Sequence, residues 1–152
     1  MKRVALLGLL LVSLLPAQAE RRIALDAELR VDARAADALD AADEFGEALA
    51  SGDLDAAKAL LAEDVVVLES GGVEASREQY FAHHAAADVK FLAERTQTIK
   101  RRFAHGDGRS AWIATESEIR RGSEPAVAST ETLVLEKRKG DWKIVHIHWS
   151  SR

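Results

Sequence analysis

Gly140-Asp141-Trp142-Lys143-Ile144-Val145-His146-Ile147-His148-Trp149-Ser150 is the stretch on which the fold turns. It reads as a strand, so successive side chains leave opposite faces. His146 and His148 project from one face with Trp142, Ile144 and Ser150 in line, and Val145, Ile147 and Trp149 from the other. Val127 to Lys137 reads as the preceding strand, and Arg138-Lys139-Gly140 joins the two as a hairpin. A two-residue Lys139-Gly140 turn would demand positive φ at Lys139, whereas a three-residue loop ending with Gly140 in the left-handed region is cheaper. The three-residue loop pairs Thr132 with His146 and Thr130 with His148. It sets Glu131, Leu133, Leu135, Val145, Ile147 and Trp149 on the opposite face. The other register brings Glu131 opposite His148, because a one-residue shift reverses every assignment.

Working outward, Thr96 to Ala104 and Ala111 to Arg120 are two further alternating strands, closed by His105-Gly106-Asp107-Gly108 and Gly122-Ser123-Glu124-Pro125. The first half has a different period. Leu39, Ala42, Phe45, Gly46 and Leu49 recur at three- and four-residue spacing along a helix from about Arg34 to Ser51. Gly52 ends it, and Asp53 caps a second helix from Leu54 to about Ala62. Val65 to Leu68 is a short apolar strand, and Ser70-Gly71-Gly72 a turn. Ser76 with Gln79 forms a capping box that starts a third helix at Arg77, carrying Tyr80, Phe81, His83 and His84 to about Ala87. Residues 20–33 show no clean period and read as a frayed lead-in. The expectation is one α+β domain over residues 34–152, with three N-terminal helices on one face of a curved antiparallel sheet.

That element order, together with Glu131-Thr132-Leu133-Val134-Leu135 and the closing Trp-x-Ile-x-His-x-His-x-Ser pattern, resembles the nuclear transport factor two-like superfamily. Within it, the last strand is similar to the SnoaL-like proteins and to the association domain of calcium/calmodulin-dependent kinase. The resemblance covers roughly Asp37 to Ser150. It implies a cone-shaped cystatin-like or SnoaL-like roll with a deep cavity, often dimeric through the outside of the sheet. It does not choose an activity, since isomerases, cyclases, dehydratases, binding proteins and assembly modules share the architecture.

Residues 1–19 read as an export signal cleaved after Ala19. Lys2 and Arg3 supply the positive start, Val4 to Leu15 the apolar run, and Ala17-Gln18-Ala19 the small-residue site. The run is too short to span a bilayer core of about 30 Å, so no membrane anchor is expected and the periplasm is the expected compartment. Removal leaves 133 of the 152 residues, enough for one ordinary domain. The formal charge of −4 becomes −6 without Lys2 and Arg3, which argues against nucleic acid and anionic membranes as partners. With Cys 0, disulfides and thiol chemistry are excluded.

The face with Leu133, Leu135, Val145, Ile147 and Trp149 is the more continuously apolar, so it is placed inward with Glu131 at the cavity. Trp142, Ile144 and Val134 then form an outer apolar patch, which argues for a homodimer through the outer sheet face. His146 and His148 read as interface or packing residues. A metal site would take His146 and His148 with His83 or His84, but no carboxylate completes it by motif and the two helical histidines diverge by about 100°. No metal or cofactor is assigned. Trp112 shares parity with Glu116 and Glu118, on either a solvated face or a half-polar cavity wall. The expected cavity residues are Tyr80, His84, Trp112, Glu116, Glu131 and Trp149. A small, partly apolar ligand bound there is the leading expectation. The alternatives are a lyase or isomerase, in which Glu131 or Glu116 takes a proton while Tyr80 or His84 donates a hydrogen bond, and a non-catalytic assembly module.

Overall fold

The chain enters the described region, residues 23–152 of a computed structural model, as a strand. The export segment expected at residues 1–19 lies outside that region. β1 (Ile23–Val31) runs parallel to Thr96–Gly106 along one edge of the sheet. The stretch read as a frayed lead-in is therefore ordered by a partner far along the chain, which local periodicity does not register.

A short 3₁₀ turn (Ala33–Ala35) leads into α1 (Ala36–Ser51), which buries Ala38, Ala42, Phe45 and Leu49 along one stripe. Gly52, at φ 80°, turns the chain out and bonds back to the Ala48 and Leu49 carbonyls. The Asp53 carboxylate accepts from the Ala56 N–H at 3.0 Å and starts α2 (Leu54–Leu60). β2 (Leu61–Glu69) is longer than its apolar centre, and Ser70-Gly71 turns it into β3 (Gly72–Glu74). The capping box forms: Ser76 Oγ accepts from the Gln79 N–H at 3.2 Å, and Gln79 Oε1 accepts from the Ala75 N–H at 2.9 Å. The expected third helix comes in two pieces, α3 (Arg77–His83) and α4 (Ala85–Ala93), broken at His84, whose φ is −113°.

β4 (Thr96–Gly106), β5 (Ser110–Arg120), β6 (Val127–Arg138) and β7 (Asp141–Ser151) form the expected antiparallel meander. The sheet order is β1-β4-β5-β6-β7-β2-β3. Its pairings of β1 with β4 and of β2 with β7 are parallel, so the sheet is mixed rather than wholly antiparallel, and it is curved and unclosed. Helical crossovers make these parallel pairs, as a hairpin could not. The helices cover the inner face, where Phe45, Leu49, Leu61, Val65, Val67, Ile113, Leu133, Leu135, Ile144 and Ile147 share one core. Among the described residues no helix is long and apolar enough to cross a membrane.

The hairpin between β6 and β7 departs from expectation twice. Its loop is the two-residue one: Arg138 pairs with Asp141, with Lys139 at φ 55° and Gly140 at φ 100°. A bulge then absorbs the offset, since Leu135 pairs with Ile144 and Val134 with His146, leaving Val145 with no residue opposite. Thr132 consequently faces His148 and Thr130 faces Ser150, while Glu131 faces Trp149. Beyond the bulge the face assignment of Glu131, Leu133, Ile147 and Trp149 is as expected. Before it the faces are exchanged. Trp142 and Ile144 belong to the core, so the outer patch built on them does not exist.

Lys139 holds a left-handed conformation that costs a side-chain-bearing residue roughly 1–2 kcal/mol and that Asn tolerates better. Lys139→Asn should raise unfolding stability by about 0.5–1 kcal/mol, read as a higher urea midpoint at unchanged slope. A lower midpoint would show that the turn is not of this type.

Candidate functional site

The turn after β2, the helix break at His84, α4, α1 and the far end of β7 meet around a cavity of about 610 Å³. Each wall has a local cause. α1 presents Phe45, Gly46 and Leu49 from its apolar stripe. α4 presents Asp88, Phe91 and Leu92, and the end of β2 presents Glu69 beside the Ser70-Gly71 turn. β6 and β7 add Glu131 and Trp149, a cross-strand pair. Phe45 and Trp149 stack with ring centroids 6.4 Å apart and planes within 6°.

Of the six expected cavity residues, His84, Glu131 and Trp149 line the space together. Tyr80 stands behind the wall. Its ring is fully buried, and its hydroxyl donates to Asp88 Oδ2 at 2.8 Å, so it acts on the cavity only through Asp88. Trp112 and Glu116 are on the wrong side of the sheet. The inner row of β5 is Ala111, Ile113, Thr115, Ser117 and Ile119, which leaves Trp112 44% exposed and Glu116 paired with Arg101 Nε at 2.6 Å on the outer face. Their shared parity is right, but parity does not say which face is covered. His146 is half-buried on the outer face, His148 reaches the cavity rim, and His83 is exposed. Among the described residues no three His, Cys, Asp or Glu side chains are grouped to hold a metal ion.

Three further carboxylates do the electrostatic work and escaped the sequence reading. Glu74, 4% exposed, contacts His84 Nδ1. Glu69 has one carboxylate oxygen, Oε2, enclosed with no hydrogen-bond partner among the described residues. Asp88 completes the group. Burial pushes the Glu69 and Asp88 carboxyls above their ordinary range. Glu69 is raised further by Asp88 and Glu74, with His84 opposing, whereas for Asp88 the Tyr80 hydroxyl and His84 oppose and Glu74 adds. Burial, reinforced by Asp88, also pushes the Tyr80 phenol up. Asp88 was legible in principle: Tyr80, His84 and Asp88 stand four residues apart, one turn each. Glu69 and Glu74 carry no such signal, because the short β2–β3 hairpin that turns both inward is decided by tertiary pairing.

Glu131 lies deeper. Trp149 Nε1 donates to its Oε2 at 2.7 Å, and Arg102 is held nearby by Asp43 Oδ1 at 2.5 Å and by Thr115 Oγ1 at 3.1 Å. Burial raises the Glu131 carboxyl, against the pull of the Trp149 bond and the Arg102 charge. A carboxyl raised on folding favours the native state most below its ordinary value of 4.5 and loses that contribution as pH rises through the folded value. Glu131→Gln keeps an acceptor for Trp149 and removes the ionisation. The variant should therefore melt above the wild type at pH 8 and with it at pH 4, with roughly 4 °C for each kcal/mol recovered. A constant offset across pH would remove Glu131 from the buried set.

A curved mixed sheet with helices on one face and a cavity between them defines a protein of the nuclear transport factor two-like superfamily. A profile of the SnoaL-like domain matches residues 38–152, and the chain belongs to that family. No curated protein matches the sequence at a significant level. Among solved structures, the chain is similar to a provisionally named ketosteroid isomerase of Shewanella frigidimarina, with 33% identity, a TM-score of 0.72, and 80% of this chain and 98% of that one covered. It is also similar to a provisionally named calcium/calmodulin-dependent protein kinase II association domain of Xanthomonas campestris, with 30% identity, TM-score 0.64, and 80% and 89% covered. The CaMKII hub of S. rosetta, at 22% identity, TM-score 0.62, and 77% and 95% covered, shares the fold.

Proposed function

We propose that this chain is an exported homodimer that holds a small, partly apolar molecule in the cavity. The observation that carries the reading is the cavity itself. At about 610 Å³ it has the size of a small-molecule site, and it combines a Phe45–Trp149 aromatic wall with a few convergent polar groups from separate elements. Export rests on residues 1–19, and dimerisation on the outer sheet face, where Trp112 is 44% and Val31 39% exposed around a shallow depression. Native mass spectrometry of the exported protein tests the ligand, the dimer and the cleavage after Ala19 in one spectrum. A dimer carrying an organic mass that leaves on unfolding supports the reading, and Trp112→Glu should give monomers. A bare protein that also fails to take up a neutral solvatochromic dye would reject the binding role.

A second reading is proton transfer on a bound molecule. The contact between Glu74 and His84 Nδ1 favours it, because a carboxylate accepting from Nδ1–H fixes the tautomer and leaves Nε2 as the basic nitrogen of a cavity residue. The name borne by the S. frigidimarina relative adds an isomerase precedent within the family. In this reading His84, rather than Glu131 or Glu116, is the base. Deuterium from solvent should enter the carbon next to the carbonyl of a bound ketone with wild type and about 100-fold more slowly with His84→Gln. Equal rates would end the enzymatic reading.

A further inference from the structure

We propose that the ligand of this cavity carries an ammonium group on an apolar, ring-sized body. The inference rests on the binding reading above and names the ligand class for that site. It starts from the sign of the lining. Glu69, Asp88 and Glu131 all line the space, and among the described residues no Lys or Arg does. His84, the imidazole whose charge bears on Glu69 and Asp88, is already in contact with the buried Glu74. The guanidinium beside Glu131, that of Arg102, is held by Asp43 and Thr115. Among the described residues the wall therefore carries three carboxyls and no Lys or Arg, its basic groups being the imidazoles of His84 and of His148 at the rim.

The hydrogen-bond inventory agrees. Glu69 Oε2 is enclosed and has no donor among the described residues, and the bond from Tyr80 takes only Oδ2 of Asp88. An ammonium brings three N–H donors and no acceptor, the complement of that set. Its charge also offsets the repulsion that Asp88 and Glu74 exert on the buried Glu69 carboxyl. A carboxylate or phosphate ligand meets three carboxyls and, among the described residues, no Lys or Arg to hold it, and an alcohol supplies one donor without the charge. The rest of the molecule is matched by Leu49 and by Phe45 and Trp149, the last two a stacked aromatic pair of the kind that also attracts cations.

Titration calorimetry at neutral pH and low salt with tryptamine, tryptophol and indole-3-acetate tests this, because the three share a ring and differ in the charge of a short arm. Tryptamine should bind at least about tenfold more tightly than tryptophol, and indole-3-acetate more weakly than either. Glu69→Gln should erase most of the tryptamine advantage while leaving tryptophol within about twofold. Asp88→Asn makes the same test should Glu69→Gln fail to fold. Tryptophol equal to or tighter than tryptamine would overturn the ammonium assignment and leave the cavity reading standing. Tightest binding of indole-3-acetate would do the same. No heat from any of the three at about 5 mM would overturn both.

Discussion

Apolar continuity along the inner face of β7 is the constraint on which the molecule depends. Trp142 and Ile144 must point inward near the hairpin, and Ile147 and Trp149 must point inward farther along, yet the two pairs have opposite parity. A regular strand cannot satisfy both. The bulge at Val145 does, by inserting one residue with nothing opposite it. The two-residue turn with Lys139 in a left-handed conformation follows from the same arrangement, as the small local strain is outweighed by burying an indole and an isoleucine. The bulge also bends β7, and the far end of the bent strand is where Trp149 closes the aromatic wall of the cavity.

Below that wall the structure holds more acid than a stability argument alone would choose. Glu69, Glu74, Asp88 and Glu131 are wholly or partly withdrawn from water, and His84 and Arg102 are the charges set against them among the described residues. Burial favours the neutral form of Glu69, Asp88 and Glu131, so the native state carries a penalty that grows as those three ionise. The core shared by α1 and the sheet tolerates this. Concentrations of shifted carboxyls inside an open cavity are more typical of functional sites than of packing, and the breadth of the fold family means that the charge pattern, not the fold, is what distinguishes this cavity.

The helix break at His84 shows how position is converted into chemistry. An unbroken helix would carry Tyr80, His84 and Asp88 on one stripe with their side chains all in the same relation to the sheet. The break lets the Tyr80 hydroxyl reach Asp88 across the junction while His84 turns to the buried Glu74. Two pairs result, the Tyr80 phenol behind the cavity wall with Asp88, and the His84 imidazole with Glu74.

Local physics was readable in the residues alone. The α1 stripe, the Gly52 stop, the Asp53 cap and the Ser76–Gln79 box rest on interactions within a few residues, the four alternating strands on a two-residue period joined by short turns, and all are present in the structure. The sequence also placed His84, Glu131 and Trp149 at the cavity. What tertiary structure alone decided was everything that depends on a face or a distant partner. β1 is a strand only because β4 lies beside it, and Trp112 and Glu116 face outward only because the other row of β5 is the one the helices cover. Glu74 meets His84, and Arg102 meets Asp43, across separations that no periodicity records. The reason is geometric: alternation defines two faces without saying which is inside, and a single bulged residue exchanges them at negligible cost in local propensity.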